Sequence, residues 1–173
     1  MDISPLNIDS SELSLTIRLG TEQDTFILGR RLGASKEPGL LIFLEGDLGA
    51  GKTTVARGFL RAQGISGNIK SPTFSLVESY EQDDFDFVHM DLFRLESSDD
   101  FFESGFYEYL EFPNICIVEW PQKAQNQLKN PDLIVKLESL ENFRKAYLHS
   151  RTEAGAKCLK KAFPKRVQTV ASY

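Results

Sequence analysis

The sequence predicts an α/β fold: a mainly parallel sheet with antiparallel edge strands and helices on both faces. Three observations carry that prediction. Short apolar runs alternate with helix-like stretches, the pattern of βα units. Two pairs of strand-like segments are joined by polar turns, which adds antiparallel strands at the sides of the sheet. One apolar run, Leu40–Glu45, leads straight into a glycine-rich loop and then a helix.

The elements follow in order. Leu13, Leu15, Ile17 and Leu19 alternate with polar residues, the period of a half-buried strand. Thr21 opens a helix to about Gly33, with Asp24 placed to complete a capping box. Leu40–Glu45 is a buried strand, Gly46–Gly51 a loop, and Lys52–Gln63 a helix with apolar Val55, Phe59 and Leu60, stopped at Gly64. Phe74–Tyr80 and Phe85–Asp91 are two strands around the turn Glu81–Asp84. Ser98–Glu111 gives short helices broken at Gly105, Asn114–Glu119 another buried strand, and Pro121–Leu128 a helical turn or two. Asp132–Glu138 and Phe143–His149 pair as a hairpin, and Thr152–Ala162 is a helix. Residues 1–163 are expected to form one domain, with 164–173 a mobile tail.

A chain of 173 residues, 41% hydrophobic and 26% charged, can bury a core without disulfides or a structural metal. The longest apolar runs, Leu40–Leu44 and Ile115–Val118, are too short to span a bilayer, and the first residues lack a secretory pattern. Cys116 and Cys158 have no ligand-like spacing, so they are expected as reduced thiols in a cytoplasmic protein. The net charge of −5 is uneven. Residues 78–111 hold twelve acids against Arg94 alone, and residues 143–173 hold eight bases against Glu153. The acidic stretch should repel a phosphate backbone. The basic one could touch nucleic acid or an acidic protein face, although a solvated helix face is the plainer reading.

Chemistry concentrates at Gly46-Asp47-Leu48-Gly49-Ala50-Gly51-Lys52-Thr53, which fits G-x-x-x-x-G-K-[ST]. Glycines let successive backbone N–H groups converge on phosphate oxygens, and the following helix aims its N-terminus at the anion. Lys52 is expected to neutralise β- and γ-phosphate charge, and the Thr53 hydroxyl to bind Mg²⁺. Such a loop needs an acidic partner on a neighbouring strand. Asp91 and Glu119 each end an apolar run, and in a parallel sheet both would open onto the ligand edge. Spacing alone does not say which meets the metal. Lys70-Ser71-Pro72-Thr73-Phe74 could be a nucleotide-sensing loop or an ordinary turn. Trp120, next to Glu119, belongs near the same edge, and His89 on its strand is expected to be packed rather than catalytic.

Absent motifs narrow the function. No Asn-Lys-x-Asp guanine reader occurs, so ATP is the expected nucleotide. No arginine lies between Arg94 and Arg144, where the phosphate lid of a small-molecule kinase would sit. The second ligand is therefore expected to be macromolecular.

Taken together, these residues closely resemble the TsaE family of small P-loop ATPases, formerly YjeE. The resemblance runs from Glu22 to about Leu137. It is carried by Gly46–Thr54, by Ser71-Pro72-Thr73-Phe74, by His89-Met90-Asp91-Leu92-Phe93-Arg94-Leu95 and by Val118-Glu119-Trp120-Pro121. It implies a P-loop NTPase fold that binds ATP and Mg²⁺. Asp47, Gly49, Ala50, Gly51, Lys52, Thr53, Thr54 and Trp120 would contact the nucleotide, with Glu22 near it on the first helix. Thr53 and Glu119 would bind Mg²⁺, while Lys52, Asp91 and Glu119 would serve hydrolysis. It further implies TsaB-like and TsaD-like partners, which transfer a threonylcarbamoyl group to the adenosine 3′ of the tRNA anticodon. The TsaE-like subunit hydrolyses ATP slowly in their support and does not perform the transfer. Residues before Leu13 and after Phe163 fall outside the resemblance. A small-molecule kinase and a nucleotide-binding module without turnover are the alternatives.

Overall fold

The computed structural model describes residues 2–8 and 12–164; the expected tail from 164 onward lies, except for Pro164, outside the described residues. The elements are β1 (Asp2–Ile8), β2 (Leu13–Leu19), α1 (Glu22–Ala34), β3 (Leu41–Glu45), α2 (Lys52–Arg61), β4 (Val77–Tyr80), β5 (Phe87–Asp91), α3 (Ser98–Glu103), β6 (Ile115–Glu119), β7 (Leu133–Ser139), β8 (Arg144–Ser150) and α4 (Glu153–Ala162). Short 3-10 turns at Phe106–Leu110, Pro121–Lys123 and Gln125–Gln127 complete the chain. One sheet runs β1-β2-β8-β7-β3-β6-β5-β4. Its centre, β7-β3-β6-β5, is parallel, and antiparallel strands flank it on both sides.

Period-two burial in the central strands makes two cores. Ile42, Leu44, Ile115 and Ile117 face α1, α2 and α4 through Leu28, Leu32, Phe59, Leu60 and Leu159. Leu41, Val88, Met90, Cys116 and Val118 face the other way, onto Phe101 of α3 and Leu110. The parallel strands are buried on both faces, as their continuous apolar runs require. Helix α1 crosses α2 with no room between the backbones. A Cβ added at Gly29 would lie 2.1 Å from the Val55 carbonyl, and one at Gly58 2.2 Å from that of Phe26. This approach brings Glu22 and Thr25 of α1 beside the start of α2.

The structure departs from the sequence expectations at three places. Residues 2–8 form a strand on β2, although nothing in MDISPLNI alternates clearly. The strand expected from Phe74 begins only at Val77: Leu76 has φ 62° and donates its N–H to the Pro72 carbonyl at 2.7 Å, so the Ser-Pro-Thr segment is spent on a turn. The hairpin β7–β8 is not appended at an edge, because β7 also pairs in parallel with β3 and joins the central sheet.

Asp132 fastens that junction. Its carboxylate accepts from the Leu41 N–H at 2.8 Å and from the Thr152 hydroxyl at 2.6 Å, and its carbonyl accepts from Arg151 N–H at 2.8 Å. Thr152 in turn caps α4. Asp132→Ala removes both carboxylate bonds and leaves the Leu41 N–H without its acceptor. We expect a loss of about 2–4 kcal/mol in denaturant unfolding. Asp132→Asn, which keeps one acceptor, should lose less.

Candidate functional site

A cleft of about 480 Å³ opens at the C-terminal edge of the parallel strands. It is bounded by the Gly46–Gly51 loop, the start of α2, the ends of β5 and β6, the N-terminus of α1 and the beginning of β8. The loop geometry depends on glycine. Gly46 has φ 134° and Gly51 φ 107°, and a Cβ at Gly46 would lie 2.3 Å from the Leu137 carbonyl.

Helix α2 differs from the other three described helices. Thr21, Ser97 and Thr152 cap α1, α3 and α4 with side-chain hydrogen bonds, and each of those helices carries acid in its first turn. Helix α2 begins at Gly51 with no side-chain cap and no acid in its first turn. Its leading N–H groups and positive dipole end therefore lack an internal anion, a pairing that favours an anion from outside.

Lys52 projects over this point. It is only 4% exposed. Its Nζ donates to the carbonyls of Gly46 and Asp47, each at 2.8 Å, and lies 3.9 Å from the centre of the Trp120 ring. Burial holds its pKa below the usual lysine value, and the carboxylates of Glu119, Asp91 and Asp47 pull it partly back up.

The two strand-end carboxylates stand side by side, Asp91 opposite Glu119 in the β5–β6 register, but their bonding differs. Glu119 is 2% exposed; its Oε2 accepts from the Thr53 hydroxyl at 3.0 Å and its Oε1 meets His89 Nε2 at 2.9 Å. Asp91 accepts from the Ser71 hydroxyl through Oδ2 and from the Phe93 N–H at 3.1 Å through Oδ1. Glu119 is thus tied to the loop helix, and Asp91 to the Ser71–Phe74 turn.

A sequence profile described as threonylcarbamoyl adenosine biosynthesis protein TsaE matches residues 19–147. The chain belongs to the TsaE family. The TsaE protein of Haemophilus influenzae is 38% identical over 119 residues, covering 69% of this chain and 75% of that protein. That of Bacillus subtilis is 34% identical over 116 residues, 67% of this chain and 72% of that protein. Both are named as tRNA threonylcarbamoyladenosine biosynthesis proteins. The crystal structure of Bacillus subtilis YdiB superposes with a TM-score of 0.70 over 87% of this chain and 95% of that one; at 24% identity this likeness establishes the fold.

Within this TsaE fold, Glu22, Gly49, Gly51, Lys52, Thr53, Thr54, Asp91, Glu119 and Trp120 all line the cleft. Asp47 and Ala50 do not: Asp47 turns its carbonyl to Lys52, and the Ala50 methyl is buried in the core. Glu22 accepts from the Thr54 hydroxyl at 3.4 Å and pairs with Arg57 at 2.9 Å. Trp120 sits in the left-handed region, φ 58°, and its ring tilts against Phe93 at 4.9 Å.

Sequence reasoning missed the arginines. It placed no arginine near the phosphates, yet Arg94 and Arg144, the two that bracket the empty interval, both line the cleft. The Arg144 Nε is buried and has no hydrogen-bond partner among the described residues. Arg94 lies 4.6 Å over the ring of Phe74, which is 90% exposed. No motif flags Arg144; its position follows only from the pairing of β8 with β7, which carries the start of β8 to the loop.

The residues present fit a magnesium nucleotide. An uncapped helix start, a folded-back lysine and an unpartnered arginine nitrogen suit an anion, and Thr53 with Glu119 offers the few oxygen ligands that Mg²⁺ takes from protein. Among the described residues there is no cluster of three or more histidine, cysteine or carboxylate groups that could hold a metal alone.

Two outcomes are expected. Trp120, the single tryptophan, should change its fluorescence on saturation with ATP or ADP, because a phosphate that draws Lys52 away removes a cation from its ring. Phosphate favours the protonated amine, and burial lowers the Lys52 pKa from 10.5. As pH rises through that lowered value the charge is lost, so ATP affinity measured by calorimetry should decline below pH 10.5. In Lys52→Met that decline should be absent.

Proposed function

We propose that this TsaE-family chain binds Mg-ATP in the cleft and hydrolyses it slowly. In this reading it works in the cytoplasm to support TsaB-like and TsaD-like partners that form threonylcarbamoyladenosine beside the tRNA anticodon. The observation that carries the reading is the uncapped start of α2 with Lys52 above it and the Thr53–Glu119 pair beside it.

The residues divide the work. The loop N–H groups and the α2 N-terminus hold phosphate oxygens. Lys52 exchanges the Gly46 and Asp47 carbonyls for the β- and γ-phosphates, which needs only a swing of its flexible stem. Arg144 places its free Nε on the nucleotide from the β8 side. Thr53 and Glu119 hold Mg²⁺, which supplies charge neutralisation on the phosphates. Asp91 lies beside Glu119 but is bonded to the Ser71 turn, so it suits the orientation of an attacking water and a response to the state of the 71–74 segment.

Slow turnover alone and acceleration by a partner agree with the state of Arg94. It rests on Phe74, an exposed aromatic ring at the mouth of the cleft. A partner that covers Phe74 would remove that resting place and leave the guanidinium free to meet the phosphates. In other P-loop enzymes an arginine so supplied is worth about 10³–10⁵ in rate.

The variants to compare are Lys52→Ala, Glu119→Gln, Asp91→Asn and Arg94→Ala. Lys52→Ala should cost about 2–4 kcal/mol in ATP binding and leave the fold intact. Glu119→Gln should weaken the Mg²⁺ dependence of nucleotide binding and suppress hydrolysis. Asp91→Asn should suppress hydrolysis with less effect on binding. Arg94→Ala should keep the basal rate and lose the partner's stimulation. All four should fail or slow threonylcarbamoyladenosine formation in a reconstituted reaction with tRNA. Unchanged ATP binding in Lys52→Ala would overturn the nucleotide assignment, and efficient phosphoryl transfer to a metabolite would favour a kinase.

A further inference from the structure

We infer that His89 is a positioning residue for Glu119: its Nε2–H fixes the carboxylate in the orientation that meets Thr53, and so sets how readily the site takes Mg²⁺. The inference rests on the metal reading proposed above and adds a residue that the reading does not use.

His89 sits in β5, 0% exposed, with Nε2 2.9 Å from Glu119 Oε1. The other oxygen, Oε2, accepts from Thr53 at 3.0 Å. A carboxylate can only accept, so the ring nitrogen facing it must carry a hydrogen, and the neutral Nε2–H tautomer is the form that meets this without placing a second N–H on the buried ring. The remaining nitrogen, Nδ1, is buried without a partner. In this tautomer it is a bare acceptor, and no orphan N–H is left in the core.

Packing alone does not explain an imidazole here. On its face of the sheet, Phe87 on its own strand and Ile117 opposite it on β6 are apolar, while Glu78 opposite it on β4 accepts from the Tyr80 hydroxyl, which leaves Glu119 as the hydrogen-bond partner of the ring. An aliphatic side chain would fill the site without burying two ring nitrogens, one of them unsatisfied. The bond to Glu119 is what offsets that cost. It also acts on the carboxylate. Glu119 is held at both oxygens, by β5 on one side and α2 on the other, so its plane is fixed before a cation arrives. Partners of this kind behind a metal ligand typically carry about 10–100-fold in metal affinity.

The test titrates Mg²⁺ into the full chain with ATP present and reads binding by calorimetry, beside ATP binding in excess chelator. His89→Leu should need about tenfold more Mg²⁺ or greater, with metal-free ATP affinity unchanged. His89→Gln, whose amide can reach the Nε2 position, should stay within about threefold of the parent, and His89→Asn, whose amide stops short, should behave like His89→Leu. The ¹⁵N signals of the ring in the nucleotide-free protein should report the Nε2–H tautomer.

A parent-like Mg²⁺ midpoint in His89→Leu, with Glu119→Gln shifted, makes His89 a core residue only. If His89→Leu does not fold, equal midpoints for His89→Gln and His89→Asn overturn the inference in its place. An Nδ1–H tautomer overturns it as well. If Glu119→Gln itself leaves the Mg²⁺ dependence unchanged, the metal reading fails and this inference falls with it.

Discussion

A helix start without an internal anion governs the arrangement of this molecule. Helix α2 has no cap, no acid in its first turn and a lysine as its first residue. Left in water, those N–H groups would be solvated and unremarkable. Here they lie at the floor of a cleft, and the fold surrounds them with groups that suit an added negative charge. Lys52 is buried and borrows two loop carbonyls. Arg144 keeps a buried nitrogen with no acceptor among the described residues. Glycines at 29 and 58 bring α1 close enough for Glu22 and Thr25 to form the far wall. Glu119 and Asp91 stand close enough to act on the charge of Lys52. The cationic and anionic halves of the site thus balance one another, which limits the cost of burying each.

The sheet order follows from the same requirement. For the glycine-rich loop after β3 to meet two acidic strand ends, β6 and β5 must lie on one side of β3, parallel to it and in register. The observed order β3-β6-β5 does this, with Leu44 beside Glu119 and Glu119 beside Asp91. On the other side of β3, β7 and β8 carry Arg144 back to the loop. The antiparallel strands therefore do more than close the sheet, since one of them delivers a side chain to the cleft.

How much of this was legible in the sequence depends on the range of the interaction. The loop, the capping box at Thr21, the buried runs and the strand-end carboxylates are local patterns, and the elements they predict are found within three residues of their expected bounds. The Ser71–Phe74 turn was placed between helix and strand, but its left-handed Leu76 carries no sequence mark because neither glycine nor asparagine stands there. What joins distant strands was not legible. Arg144 opens a polar-looking strand, and nothing in residues 143–150 indicates that β7 pairs with β3 on its far side. His89 reads as a core residue and is one, but its bond to Glu119 needs the β5–β6 register, which a sequence separation of thirty does not reveal.

The charge map bears on how such a site could serve a reaction on tRNA. The stretch from 78 to 111 carries twelve acids and a single arginine, and it follows on from the cleft through Asp91, Phe93 and Arg94. A nucleic acid approaching there meets repulsion within a Debye length. The exposed aromatic rings Phe74 and Phe102, on either side of that arginine in the chain, suit contact with protein surface better than contact with phosphate. In the function proposed above, a change at the nucleotide site reaches tRNA through an intermediary protein. The coupling element in that reading is the 71–74 segment, because it touches both ends of the relay: Ser71 is bonded to Asp91 inside the cleft, and Phe74 carries Arg94 at its mouth. A partner that moves Phe74 would disturb the Ser71–Asp91 bond through two intervening residues, so docking outside and the chemistry inside would share one short lever.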